Sequence, residues 1–361
     1  MNQIETILAQ IGNRKDPRTG AVEAPIYLST AYQHPTLGQS TGYDYTRTAN
    51  PTREIVEEAI ASLEKGVQGF ACSSGMAAIQ LVFSLFKHGD EILVTEDIYG
   101  GSYRLFQHLQ QSYRVTPVYV SPENMERHIT QNTKAIFIET PTNPLLMEID
   151  IQYMAAIAKK HDVLLIVDNT FYTPYLQQPL TEGADIVIHS ATKYLGGHND
   201  VLAGLVVVKD HELGEKLFYL HNAIGAVLSP LDSMLLIRGM KTLTLRLERQ
   251  QQNAQILAAF LREHSQVNDV LYPGKGAMIS FRVTDNSLIA PFLEQLKVIS
   301  FAESLGGVES FITYPTTQTH ADIPKDELER RGISDTLLRF SVGIENIEDL
   351  KADLDQALGG K

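Results

Sequence analysis

The sequence predicts an α/β fold: a mainly parallel sheet covered by helices, followed by a smaller α+β region. Three observations predict it. Short apolar runs, EILVTED (91–97), AIFIET (135–140), VLLIVDNT (163–170), ADIVIHS (184–190) and LAGLVVVK (202–209), read as strands buried on both faces. Segments 101–112, 122–130 and 150–161 read as helices between them, and such alternation is the pattern of parallel strands joined by helical crossovers. Near residue 235 the character changes to a long helical stretch, 232–264, with strands near AMISFRV (277–283) and LLRFSVG (337–343) beyond it.

Taken in order, the first 45 or so residues are rich in Pro, Gly, Tyr and Thr with little periodicity, and read as an extended arm. PTREIVEEAIASLEK (51–65) reads as an amphipathic helix with proline near its start. CSSGMAAIQLVFSLF (72–86) reads as a Ser/Gly turn opening a helix. The link ATKYLGGHNDV between the runs at 184–190 and 202–209 is too short for a helical crossover, so these two strands are expected to pair antiparallel. The expected organisation is an arm over 1–45, a large domain over 46–237 and a small domain over 238–361, with the last boundary inside the long helical stretch.

Composition narrows the function. The chain has 361 residues and one cysteine, which excludes a disulfide framework or a cysteine-rich zinc site and suits a reducing compartment. Acidic residues outnumber basic ones, 43 to 30, for a net charge of −13, so a nucleic-acid partner is not expected. The N-terminal MNQIETILAQIGNRKD carries both charge signs and reads as no signal peptide, and no apolar stretch of about 18 residues suggests a membrane span. A cytoplasmic enzyme acting on small molecules is the expectation.

In doubly wound sheets ligands bind at the carboxyl ends of the strands. Here those ends carry Asn143 (in TPTNP), Asp168 with Asn169 and Thr170, and Ser190-Ala191-Thr192-Lys193, while Ser73-Ser74-Gly75 opens a helix able to bind an anion. Singly, each has an ordinary reading: a cap for Asp168, a solvated amine for Lys193, an N-cap for Ser74. Jointly they match what pyridoxal phosphate needs: a lysine for its aldehyde, an acid beside its pyridine nitrogen and a phosphate cradle. A carboxylate about 4 Å from a pyridinium contributes roughly 4 kcal/mol at an effective dielectric of 20, which keeps the ring a good electron sink. His189, His198 and Asp200 could be read as a metal cluster, but that loop already carries the lysine and shows no supporting second layer, so no metal is expected.

The motifs GYDYTRTANPTR (42–53), SSGMAAI (73–79), DIYGGSYRLF (97–106), ETPTNPL (139–145), VDNTFYTP (167–174), HSATKYLGGH (189–198), AESLGGVES (302–310) and LRFSVGIE (338–345) carry a resemblance over nearly the whole chain. The chain resembles the Cys/Met-metabolism family of pyridoxal-phosphate enzymes, which includes γ-synthases, γ-lyases and sulfhydrylases. The resemblance implies aminotransferase fold type I, with a mainly parallel seven-stranded sheet domain. Residue by residue, it implies Lys193 as the Schiff-base lysine and proton carrier, Asp168 as the partner of the pyridine nitrogen, and Tyr99 as the ring-stacking tyrosine. It implies Ser74, Gly75, Met76, Ser190 and Thr192 around the phosphate, and Tyr45 and Arg47 reaching the phosphate of a neighbouring subunit. The resemblance further implies a homotetramer with shared active sites. Asn143 and Arg339 match residues that hold the substrate carboxylate, with Ser304 beside them and Asn143 also counted against the cofactor.

Within the family, methionine γ-lyases resemble one another in a cysteine where this chain has Gly101 and an apolar residue where it has Glu303. Glu303 instead resembles the synthase and cystathionine-lyase pattern, in which an acid meets a distal ammonium, and Asp44 and Arg104 sit where γ-synthases place distal contacts. The short PGKG segment (273–276) resembles the Bacillus-type cystathionine γ-synthases and O-acetylhomoserine sulfhydrylases. The implied activity is replacement at Cγ of O-acylhomoserine, with O-acetyl preferred, by cysteine or sulfide. The alternative is a cystathionine γ-lyase.

Overall fold

The structure is a computed structural model that describes residues 2–321 and 323–359. In chain order its elements are α1 (Ile4–Ala9), α2 (Pro51–Glu64), β1 (Gln68–Cys72), α3 (Gly75–Phe83), β2 (Glu91–Thr95), α4 (Gly100–Tyr113), β3 (Thr116–Val120) and β4 (Thr133–Glu139). They continue with α5 (Ile151–Lys160), β5 (Leu164–Asp168), α6 (Thr173–Leu176), β6 (Ile186–Ser190), β7 (Gly204–Val208), α7 (His211–Ile224) and α8 (Pro230–Met240). The last are α9 (Leu243–Glu263), β8 (Val267–Leu271), β9 (Met278–Val283), α10 (Ile289–Gln295), β10 (Ser300–Phe301), β11 (Phe311–Thr313), α11 (Lys325–Arg330), β12 (Leu337–Ser341) and α12 (Ile347–Ala357). The chain forms two compact units, one of Met1–His88 with Ile151–Leu243, the other of Gly89–Asp150 with Thr244–Lys361.

The first unit holds four strands of the seven-stranded sheet, in the order β1-β7-β6-β5. β5 and β6 are parallel, with Asp168 opposite Ile188, whereas β6 and β7 are antiparallel, as their short connection requires. Burial is nearly complete along these strands, which is why they read as unbroken apolar runs. Glycine decides two close approaches. A side chain at Gly204 of β7 would meet the Ser74 carbonyl at 2.0 Å, so the start of α3 lies directly against that strand. A side chain at Gly239 of α8 would meet the Gly196 carbonyl at 2.1 Å, so α8 buttresses the turn after Lys193.

α2 starts as its sequence directs. The Asn50 side chain accepts from the amides of Thr52 and Arg53 at 2.9 and 3.3 Å, and Pro51 occupies the first turn, where no amide is needed. Lys65 closes the helix in a left-handed conformation.

The second unit holds the parallel strands β4-β2-β3 and a five-stranded sheet of order β10-β11-β12-β9-β8. The core of the smaller sheet packs Ile279, Phe281, Leu338 and Phe340 with Leu257 and Leu261 of α9 and Leu350 and Leu354 of α12. The α/β class expected from the alternating runs is the class observed.

Some elements differ from the sequence reading. The stretch 232–264 is two helices, α8 and α9, separated at Lys241 and Thr242. The segment read as a helix at 122–130 is a 3-10 turn, Pro122–His128. Strands β1, β3, β8, β10 and β11 are too short or too interrupted to show as apolar runs. β3, with Pro117 inside it and mostly half-buried, has the character of an edge strand.

Candidate active site

In the first unit the carboxyl ends of β5 and β6 are joined through one hydroxyl. Thr170 Oγ1 donates to Asp168 Oδ1 at 2.5 Å and accepts the Ser190 amide at 2.8 Å, and the Thr170 amide also donates to Asp168 Oδ1 at 3.0 Å. Burial pushes the Asp168 carboxyl up from the usual carboxylate range, while the Thr170 bonds and the charge on His189 pull it down. Lys193 follows β6 in a tight turn, its amide donating to the Ser190 carbonyl at 3.2 Å, and the side chain is half-buried.

The N-terminus of α3 faces the same strand. Ser74 caps it by accepting the Ala77 amide at 3.1 Å. A side chain at Gly75 would meet the Ser190 Oγ at 2.8 Å, so the first turn of the helix and the Ser190 hydroxyl share a concavity that only glycine leaves open. The amides of Gly75 and Met76 belong to that first turn, whose donors have no partner within the helix. The Thr192 hydroxyl is engaged with Ala203, accepting its amide at 3.1 Å and meeting its carbonyl at 3.3 Å.

Tyr45 and Arg47 lie in the arm. The Arg47 guanidinium stacks 5.6 Å from the Tyr45 ring centroid and donates to the Asn222 carbonyl at 2.7 Å. Their loop is fixed by buried Arg53, which donates to the carbonyls of Thr46 and Arg47 at 2.8 and 3.2 Å. Asp44, exposed, accepts from Ser40 Oγ at 2.5 Å and lies 3.3 Å from His34. Cys72, the one cysteine, is buried in β1, and burial pushes its thiol up and keeps it protonated.

In the second unit Arg339 of β12 is only 2% exposed. Three neutral oxygens accept from it: Asn143 Oδ1 at 2.9 Å, Thr313 Oγ1 at 3.1 Å and the Ser304 carbonyl at 3.2 Å. Ser304 holds φ at +129°, a strained value for a residue with a side chain, and such strain concentrates at functional positions. Tyr99 precedes α4, its amide donating to Glu139 at 2.9 Å. A side chain at Gly100 would meet the Thr319 carbonyl at 2.1 Å, and one at Gly101 would meet the Tyr99 ring at 2.4 Å. Glu303 and Arg104 are exposed.

Several groups beside these positions were not singled out from sequence. His320 is buried, contacts the Asn143 carbonyl at 3.1 Å and the Thr319 hydroxyl at 2.8 Å, and so ties the Gly100 contact to the Asn143 loop. Thr313 shares Arg339, and Glu64 lies 2.6 Å from His189. A lone buried Glu, Thr or His carries no local sequence signal, because its role depends on residues far along the chain. His198 contacts its own Gly196 carbonyl at 2.9 Å, and no group of three or more His, Cys, Asp or Glu able to hold a metal occurs among the described residues.

Two expectations follow from the second unit. Gly101→Cys should displace the Tyr99 ring and lower kcat/KM by at least tenfold with little change in the unfolding midpoint; unchanged kcat/KM would show that the ring's place does not matter. Burial holds His320 down at about 4, whereas the unfolded chain titrates near 6.5, so between these values the unfolded state binds the extra proton. Stability from this group is therefore present above pH ~6.5 and lost as the pH falls toward ~4, by up to about 3 kcal/mol. His320→Gln should flatten that part of the stability–pH curve, measured by denaturant unfolding at pH 4.5 and 7.

Comparison with known proteins places the chain. Residues 5–359 match the family model described as "Cys/Met metabolism PLP-dependent enzyme". The chain is 64% identical to a Bacillus subtilis cystathionine gamma-synthase/O-acetylhomoserine (thiol)-lyase, over 98% of this chain and 96% of that protein. It is 60% identical to a Haemophilus influenzae cystathionine gamma-synthase, over 98% of this chain and 97% of that protein. Among solved structures, a Xanthomonas oryzae pv. oryzae cystathionine gamma synthase in complex with cystathionine superposes with a TM-score of 0.97 at 41% identity, covering 99% of this chain and 98% of that one. The chain therefore belongs to the Cys/Met metabolism family of PLP-dependent enzymes, the family its motifs resemble.

Proposed function

We propose that the protein catalyses γ-replacement on an O-acylhomoserine, O-acetylhomoserine in the first place, with cysteine to give cystathionine and with sulfide to give homocysteine. One observation carries the choice within the family: relatives at 64% and 60% identity are named cystathionine gamma-synthase/O-acetylhomoserine (thiol)-lyase and cystathionine gamma-synthase, whereas relatives named γ-lyase and β-lyase stand at 50% and 49%. Gly101 and Glu303 support the same reading, since both depart from the methionine γ-lyase pattern.

The cofactor of the family is pyridoxal 5′-phosphate, and the residues of the first unit fit it. The concavity between Gly75 and the Ser190 hydroxyl, at the start of a nine-residue helix, suits a phosphate. The fixed Asp168 carboxylate suits a protonated ring nitrogen, and Lys193 suits the aldehyde. When bound, the cofactor withdraws electrons from the substrate's Cα and so makes the Cα and Cβ protons removable.

The chain's own groups do the rest. Arg339, with Asn143 and Ser304, binds the substrate carboxylate; a guanidinium already held by three oxygens loses little freedom on doing so. Lys193, as a neutral amine, takes the Cα proton and returns it later. Tyr99 assists proton transfer as the Cγ–O bond breaks and the acyloxy group leaves as a carboxylate; the thiol, having lost its proton, forms the new Cγ–S bond, and the proton taken from Cβ is returned. Ser74, Gly75, Met76, Ser190 and Thr192 hold the phosphate. Glu303 meets the ammonium of the incoming cysteine, with Asp44 and Arg104 as further distal contacts. The protein works in the cytoplasm as a homotetramer in which Tyr45 and Arg47 complete the phosphate site of a neighbouring subunit.

The chemistry is tested by incubating the holoenzyme with O-acetylhomoserine plus equal cysteine and sulfide, and separately with cystathionine alone. Cystathionine or homocysteine in the first reaction, with little 2-oxobutanoate in the second, is expected. Fast release of cysteine and 2-oxobutanoate from cystathionine, with poor replacement, would make the protein a γ-lyase. The shared site is tested by mixing inactive Arg47→Ala and Lys193→Ala variants after dissociation and reassembly. Recovery of about a quarter of the wild-type activity is expected from random pairing, and no recovery would place each site within one chain.

A further inference from the structure

Ser304 holds φ at +129° although it carries a side chain, and β12 shows what keeps it there. Arg339 and Ser341 stand two residues apart on one face of that strand. Arg339 Nη2 donates to the Ser304 carbonyl at 3.2 Å, and Ser341 Oγ accepts the Gly306 amide at 2.8 Å. The strand thus grips Ser304-Leu305-Gly306 at both ends. The grip continues along the loop. Gln250 of α9 donates to the carbonyls of Gly307 and Val342 at 2.7 and 3.1 Å. The Ile344 amide donates to the Val308 carbonyl at 2.9 Å. The Ser310 amide and hydroxyl donate to the two carboxylate oxygens of Glu345 at 2.6 and 2.9 Å.

The gripping side chains are buried and polar where apolar ones would serve the fold. Gln250 is 0% exposed and Ser341 1%. The buried face of α9 is apolar at Ala254, Leu257, Ala258 and Leu261, and polar at Gln250 and Asn253, beside the loop and the turn after β12. Among the described residues Gln250 Oε1 has no hydrogen-bond partner, a loss that stability alone would select against. Backbone strain at Ser304 is a second cost. Both costs have a use if what they fix is Arg339, because the Ser304 carbonyl is one of the oxygens that hold its guanidinium.

We propose that Ser341 and Gln250 are positioning residues for Arg339: they hold Ser304 in its strained conformation, so that its carbonyl keeps the guanidinium in place for the carboxylate of the O-acylhomoserine. This rests on the substrate reading proposed above. Neither residue touches the substrate; both act through the 304–307 backbone. Once released, Ser304 returns to an ordinary conformation and its carbonyl leaves the cation. The carboxylate is then bound less tightly to the same extent before and during the reaction, which raises KM and spares kcat.

The test reads binding and strain separately. With cysteine saturating, Ser341→Ala should raise the KM for O-acetylhomoserine about tenfold and leave kcat within about twofold. Gln250→Met, which keeps the length of the side chain without its donors, should do the same. An unchanged KM, or a kcat that falls as far as KM rises, would mean a merely structural role and overturn the proposal. Strain is read from thermal unfolding midpoints of the holoenzyme. Ser304→Gly removes the strain, so it should raise the midpoint by about 2 °C or more in the wild type and not in Ser341→Ala. Equal shifts in the two backgrounds would show that Ser341 does not enforce the strain, and would overturn the proposal. If Ser341→Ala does not fold, Gln250→Met carries both measurements. A wild type that does not exchange acetate for cysteine would overturn the proposed function instead, and the midpoints would still decide the grip on Ser304.

Discussion

A single hydroxyl, Thr170 Oγ1, fixes the chemistry of the first unit. It donates to the Asp168 carboxylate and accepts the backbone amide of Ser190, so the acid on one strand and the start of the lysine-bearing turn on the next cannot move independently. Such a link is effective only because β5 and β6 are parallel and adjacent, which brings their carboxyl ends to the same level. α3 then packs closely on β7 at Gly204, and α8 on the turn after Lys193 at Gly239. Strand order, glycine placement and a threonine together set the spacing between an acid, a hydroxyl and a lysine that no short segment could set alone.

The second unit uses a different principle. Its central group is a guanidinium, held in the small sheet by Thr313 on the neighbouring strand and by Asn143 from the loop after β4. The strained Ser304 backbone brings its carbonyl to the same cation. Strain of this kind costs about 1–3 kcal/mol and persists only where the surroundings enforce it. Alternation along β9 and β12 puts Ile279, Phe281, Leu338 and Phe340 against the apolar core on one face of the sheet and Ser280, Arg339 and Ser341 on the other. Rigidity acquired on folding is freedom that need not be lost on binding.

Much of this was legible in the sequence, and the limit is physical. The five long apolar runs announced β2, β4, β5, β6 and β7 because full burial leaves no polar face to interrupt them. The antiparallel turn of β7 followed from the length of its connection. Asp168, Ser190 and Lys193 were visible because they stand at strand ends inside compact motifs. Thr313, His320 and Glu64 were not, because each acts through partners 26 to 177 residues away. The break between α8 and α9 was hidden because Lys241 and Thr242 are tolerable in a helix and neither is a proline or glycine that would mark its end.

Gly101 has a consequence for descent as well as for catalysis. Because a side chain there would overlap the Tyr99 ring, the position and the ring form one mechanical unit, and neither can change alone without loss. A lineage that gains a thiol at this place must first acquire a new resting place for the tyrosine, through changes around α4 that have no value of their own. The order of substitutions is thereby constrained. A single exchange at 101 in this chain adds a side chain without the setting that its ring neighbour would then need.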